Sequence, residues 1–172
     1  VAINDLGDIE NIAYLIKYDT AYGPAQFPVS VKESKDGFLI NEKEVKFLAQ
    51  KAANLLPGKG LNIDVVIEST GAFTSFEKAK VHVEAGAKRV VITAPVKDAP
   101  LDETQATILM GINDEKLEKT KVSSNASCTT NAGSPLMQIL HEKIGIEKAI
   151  LNTVHGYTAS QSIVDGPNKK DW

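Results

Sequence analysis

Ile63-Asp64-Val65-Val66-Ile67-Glu68-Ser69-Thr70-Gly71 decides the fold of this chain. A short, nearly continuous apolar run ending in small polar residues reads as a central parallel strand, covered on both faces and stopping at a ligand-facing edge. Downstream, Ser75 to Ala85 reads as a helix closed by Gly86, and Arg89-Val90-Val91-Ile92-Thr93 repeats the strand pattern before Ala94-Pro95. Thr107-Ile108-Leu109-Met110 and Lys121-Val122-Ser123-Ser124 are two further short strands. Upstream, Val1-Ala2-Ile3 reads as the end of a buried strand, and Asp8 to Lys17 places Ile9, Ile12, Ala13 and Ile16 on one helical face. Lys35-Asp36-Gly37 turns a hairpin between Val29-Ser30-Val31 and Phe38-Leu39-Ile40, and Leu56-Pro57-Gly58-Lys59-Gly60 is a loop. Thr129 to Lys143 is helical, with Leu136, Ile139 and Leu140 on its apolar side and Gly145 after it; Ile146 to Val154 follows as a strand that delivers His155. Strands alternating with helices predict an α/β fold, a parallel sheet with helices on both faces.

The 172 residues, 42% of them hydrophobic, suffice for a sizeable core. A formal charge of −3, with acids and bases intermixed, creates no broad positive field, which argues against nucleic acid and against an anionic membrane surface as partners. No apolar run has the length of a membrane span. The single cysteine cannot close an internal disulfide, so nothing requires an oxidising compartment, and a cytoplasmic setting is the expectation. No Cys, His or carboxylate cluster has metal-ligand spacing.

That cysteine, Cys128, lies in Ser123-Ser124-Asn125-Ala126-Ser127-Cys128-Thr129-Thr130-Asn131, where a strand gives way to a helix. The positive end of a helix dipole favours thiolate over thiol, and unpaired N–H groups of a first turn can stabilise an oxyanion. A lone cysteine elsewhere is more often a small buried hydrophobe; the crowd of hydroxyls and amides here points to a nucleophile. Of the three histidines, His82 and His141 fall inside helices and read as imidazoles without special duty. His155, in Thr153-Val154-His155-Gly156-Tyr157-Thr158, could take a proton from Cys128, although spacing alone leaves that pairing open. Asp5 either accepts hydrogen bonds from a ribose, which favours NAD over NADP, or is an ordinary turn residue. Ser69-Thr70-Gly71-Ala72-Phe73 is either a cofactor contact or a plain strand-to-helix connection.

In combination, Ser124 to Asn131, Thr153 to Thr158 and Val164-Asp165-Gly166-Pro167 resemble the glyceraldehyde-3-phosphate dehydrogenase family. The resemblance extends to Ala2-Ile3-Asn4-Asp5-Leu6, Lys17-Tyr18-Asp19-Thr20, Glu68-Ser69-Thr70-Gly71 and Val91-Ile92-Thr93-Ala94-Pro95. It implies an incomplete Rossmann-type doubly wound parallel sheet over residues 1–127, without its first strand and glycine turn, then the start of a mixed α+β catalytic domain over 128–172. It also implies an NAD-dependent, phosphorylating oxidation of glyceraldehyde 3-phosphate in a homotetramer. Cys128 would be the nucleophile and His155 the base. Asp5, Leu6, Ser69, Thr70, Gly71, Phe73 and Thr93 would line the cofactor site, and Ser127, Thr129 and Thr158 would bind substrate or inorganic phosphate. Departures from the family pattern are Pro24 in place of an arginine, Ala52-Ala53 in place of Asp-Pro, and Val96 in place of a serine. Erythrose-4-phosphate dehydrogenase shares the cysteine and histidine motifs and is the near alternative. A cysteine hydrolase without nucleotide is the distant one.

Overall fold

The computed structural model describes residues 1–167, which form two compact units. One unit comprises Val1–Lys51 with the residues from Val154 onward, and the other comprises Ala52–Thr153.

In the first unit, strand β1 (Ala2–Asn4) leads into helix α1 (Ile9–Lys17). Asp8 starts the helix by accepting hydrogen bonds from the backbone N–H groups of Glu10 and Asn11, at 2.9 and 3.2 Å. Glu10 in the first turn and Lys17 in the last complement the helix dipole. The expected apolar face is the buried one: Ile9, Ile12 and Ala13 are buried, and Ile16 packs at their margin. After a small antiparallel pair, β2 (Tyr18–Asp19) with β3 (Gly23–Pro24), the chain forms β4 (Val29–Val31), β5 (Gly37–Ile40) and β6 (Lys43–Leu48). The sheet order is β1-β6-β5-β4, with β1 parallel to β6 and the other pairs antiparallel. Phe38 is fully buried between α1 and this sheet and meets the Phe47 ring edge-on at 5.4 Å. Gly37 is required by close approach, since a Cβ there would lie 2.5 Å from the Val45 carbonyl oxygen.

The β4–β5 hairpin matches the sequence reading, whereas β6 was not anticipated. Its connection is a two-residue turn in which Ile40 pairs with Lys43 while Asn41 (φ 49°) and Glu42 (φ 65°) are both left-handed. Such turns normally announce themselves with Asn-Gly, and here glutamate occupies the glycine position. Glu42→Gly is therefore expected to stabilise the protein by about 1 kcal/mol by removing the left-handed penalty. The check is a denaturant midpoint at unchanged m-value, and a midpoint that fails to rise contradicts the turn assignment.

The second unit holds β7 (Val65–Glu68), helix α2 (Phe76–Glu84), β8 (Arg89–Ile92), β9 (Gln105–Thr107), β10 (Val122–Ser124) and helix α3 (Cys128–Lys143). The sheet is parallel throughout, in the order β7-β8-β10-β9. The α2 start is capped twice: Ser75 accepts from Lys78 N–H, and the Asp98 carboxylate accepts from Phe76 and Glu77 N–H. Gly86 ends the helix at φ 116°, where a Cβ would collide with the Lys59 backbone. Phe76 and Ala79 pack into a core with Val90, Ile92 and Val122.

Four sequence expectations are corrected in this unit. First, β7 lies at the edge of its sheet, not the centre, and Val65 and Ile67 are 47% and 60% exposed because α2 covers only the Val66 and Glu68 side. Second, β9 lies upstream of its expected position, since the Leu109 N–H is taken by the Asn113 side chain, which starts a turn. Third, Leu136 and Ile139 of α3 are exposed and Leu140 is half-buried, so the helical periodicity is present without a cover. Fourth, residues 146–154 form no strand, for an extended segment becomes one only against a hydrogen-bonding edge and none among the described residues supplies it. No helix among them is long and apolar enough to cross a membrane.

Candidate active site

Parallel strands β7, β8 and β10 end level with one another, Ile92 pairing with both Glu68 and Ser124. In open α/β sheets ligands bind at such carboxyl edges, because the connecting loops there offer unpaired polar groups. The loops leaving these three strands expose Ser69, Thr70 and Gly71 after β7, Thr93 after β8, and Cys128 after β10. Gly71 is left-handed at φ 74°, with open space around it. The Thr93 N–H and hydroxyl both donate to the Glu68 carbonyl, at 3.0 and 3.3 Å, tying the ends of β7 and β8 together. Phe73 is half-buried against the core, its ring edge-on to His82 at 5.2 Å.

The passage from β10 into α3 is tightly bonded. The Asn125 N–H donates to the Ile92 carbonyl at 2.9 Å, and the Ser124 hydroxyl donates to the Ala94 carbonyl at 2.8 Å while accepting from the Ala126 N–H. Ser127 is the N-cap, its Oγ accepting from Thr130 N–H at 3.0 Å and exchanging a hydrogen bond with the Thr130 hydroxyl at 2.7 Å. The Asn131 side-chain amide donates to the carbonyls of both Asn125 and Ser127, at 2.7 and 2.9 Å. These bonds hold Ala126 in the left-handed region at φ 57°, a conformation a residue with a Cβ keeps only when its surroundings over-determine it. The result is a sharp strand-to-helix corner that places Cys128 as the exposed first residue of α3, at the positive end of the helix dipole. Thr129 follows it half-buried. Asn131 thus ties the corner together, and its position four residues after the N-cap is the sequence signal for that role.

In the first unit, Asp5 ends β1 with one carboxylate oxygen accepting from the Gly7 N–H at 2.7 Å, so it does hold a turn. Leu6 beside it is 63% exposed. His155 is exposed, and its Nδ1 lies 2.8 Å from the Gly156 carbonyl oxygen. A carbonyl only accepts, so Nδ1 carries the proton, and in the neutral ring Nε2 presents the lone pair. Thr158 is also exposed, its hydroxyl 2.8 Å from that of Ser160. Asp165 reaches back to the Thr20 N–H and hydroxyl, anchoring this segment to the β2–β3 turn.

One pair of ionisable residues escaped the sequence reading. Glu68 and His82 are 4% and 5% exposed, and their Oε2 and Nε2 atoms lie 2.8 Å apart. Burial works against the Glu68 charge, but hydrogen bonds from His82 and from the hydroxyl and N–H of Thr70 outweigh it and hold the carboxyl below its ordinary value. No group of residues able to hold a metal ion occurs among the described residues.

An exposed cysteine at a helix start and turns of small polar residues, gathered along the carboxyl edge of a parallel sheet, make that edge of the α/β fold the candidate ligand site. Residues 1–76 match the family model described as glyceraldehyde 3-phosphate dehydrogenase, NAD binding domain, and residues 127–172 match the model of its C-terminal domain. A glyceraldehyde-3-phosphate dehydrogenase of Claviceps purpurea is 44% identical over 174 residues, covering 100% of this chain and 49% of its own length. Proteins of the same name from Clostridium pasteurianum and Thermotoga maritima are 46% and 43% identical, covering 99% and 98% of this chain and 49% of each relative. The chain belongs to the glyceraldehyde-3-phosphate dehydrogenase family. It spans about half the length of the curated relatives it matches.

Proposed function

We propose that the protein carrying this chain is an NAD-dependent oxidoreductase that oxidises and phosphorylates glyceraldehyde 3-phosphate, with Cys128 as nucleophile and His155 as general base. The exposed sulfur at the start of α3, held by the Asn125 to Asn131 corner, is the observation that carries this reading. His155 takes the Cys128 thiol proton, the thiolate adds to the aldehyde carbon, and the carbonyl oxygen, receiving the π electrons, takes that proton back from the imidazolium, giving a thiohemiacetal and a neutral imidazole. His155 Nε2 removes the hydroxyl proton as the carbon–oxygen double bond re-forms. NAD, when bound, accepts the hydride that leaves that carbon. The resulting Cys128 thioester is attacked by an oxygen of inorganic phosphate, which expels the thiolate and yields the acyl phosphate. Ser127, Thr129 and Thr158 bear hydroxyls suited to binding the substrate or the attacking phosphate.

The exposed Ser69-Thr70-Gly71 turn and Thr93 suit a cofactor at a strand edge, with the uncluttered Gly71 allowing close backbone approach. Asp5 and Leu6 suit the adenosine ribose, and the negative charge of Asp5 repels the extra phosphate of NADP. Residues 1–127 then form the cofactor domain and 128–172 the beginning of the catalytic domain, in a cytoplasmic homotetramer. The test is reduction of NAD by the intact protein with glyceraldehyde 3-phosphate or erythrose 4-phosphate, each with and without inorganic phosphate. Phosphate-dependent turnover of the triose is expected, and a strong preference for the tetrose overturns the substrate assignment.

A further inference from the structure

The turn after β7 is held from below by a buried relay. The Glu68 side chain accepts at one oxygen from both the N–H and the hydroxyl of Thr70, and at the other from His82 Nε2, 2.8 Å away. The Thr70 oxygen in turn accepts from the Ala72 N–H at 3.1 Å, so the bonds run from α2 through Glu68 to the exposed turn. Because the carboxylate can only accept, Nε2 carries a proton toward Glu68, and His82 Nδ1 is buried without a hydrogen-bond partner. A buried carboxylate beside a half-satisfied imidazole is costly compared with an apolar pair of similar size, and it serves here no sheet or helix hydrogen bond. What it does is fix Thr70, one residue before the left-handed Gly71.

We infer that Glu68 and His82 are positioning residues for the cofactor, setting the Thr70–Gly71 backbone through Glu68 so that the turn is preorganised before NAD arrives. This rests on the reading of Ser69-Thr70-Gly71 as a cofactor contact. Preorganisation reduces the ordering cost at binding, so its loss appears in affinity for NAD rather than in turnover at saturation. His82→Phe keeps a ring beside Phe73 but removes the donor to Glu68, whereas His82→Gln places an amide N–H near the original Nε2.

The experiment titrates NAD calorimetrically into the intact protein and its variants, with thermal melts to confirm folding, and compares KM for NAD with kcat. His82→Phe is expected to weaken NAD binding about tenfold and to raise KM in proportion, with kcat changed less than threefold; His82→Gln is expected to recover most of the loss. Thr70→Val, at an exposed position that tolerates substitution, removes the hydroxyl link from the other end of the relay. In a double-mutant cycle the His82 and Thr70 substitutions are expected to be non-additive, since either one interrupts the same chain of bonds. Should His82→Phe fail to fold, a Thr70→Val protein with parental NAD affinity is enough to overturn the relay. Wild-type protein that binds no NAD defeats the cofactor reading and the relay together. NAD binding that persists unchanged in folded His82→Phe, or strictly additive effects, defeats the relay alone.

Discussion

Replacing Cys128 with serine is expected to lower phosphorylating dehydrogenase turnover by roughly 10³-fold or more while leaving the fold intact. Cys128 is exposed, and the bonds that shape its corner come from Ser124, Asn125, Ser127 and Asn131, so exchanging sulfur for oxygen opens no cavity and removes no cap. The chemistry is another matter. An ordinary thiol ionises near pH 8.5, close enough to neutrality for a helix N-terminus and an imidazole to bring it into range, whereas an alcohol remains far above it. Serine is thus a poor nucleophile at this position, and an oxygen ester is attacked by phosphate less readily than a thioester. The measurement is the pre-steady-state burst of reduced nicotinamide, which should vanish together with steady-state turnover. Iodoacetamide should also alkylate the parent protein at neutral pH faster than it alkylates a free-solution thiol, and inactivate it in step. A serine variant retaining more than a tenth of parental turnover, with an unchanged melt, removes Cys128 from the mechanism.

The parts of the fold that were legible in the amino acids are those whose signal is local. Val65 to Glu68 and Arg89 to Ile92 are short apolar runs ending at small polar residues, and both are strands of a parallel sheet, Arg89 to Ile92 inside it and Val65 to Glu68 at its edge. Asp8, Ser75 and Ser127 stand before helical periods and cap them. What failed was decided by partners distant in sequence. Strand β6 hides behind charged residues, with Val45 its one buried side chain, and behind a turn that lacks glycine. Residues 146–154 have strand composition but no edge to join, and the Leu136–Ile139 stripe has helical spacing without a covering surface. The site divides in the same way. Cys128 is visible because its small polar neighbours are contiguous, while Glu68 and His82 meet only because the chain returns through α2, packed on β8 and β10, to bring side chains fourteen positions apart to 2.8 Å. Composition cannot show that contact.

Replacing His155 with asparagine is expected to reduce kcat by about 10²- to 10⁴-fold, the usual contribution of a positioned general base. The hydrogen bond from Nδ1 to the Gly156 carbonyl makes this substitution informative, because the asparagine side-chain amide can make a similar bond while providing nothing in place of Nε2. The exposed backbone around it should therefore keep its conformation while the proton acceptor is lost. Two readouts distinguish a missing base from a disturbed loop. The acidic limb of the pH–rate profile, along which activity rises as the imidazole loses its proton, should disappear from the variant. NAD affinity should remain close to the parental value, since the residues proposed to contact the cofactor lie on other segments of the chain. If the H155N protein turns over within tenfold of the parent and keeps that acidic limb, the proton is removed by another group, and Cys128 acts without the imidazole.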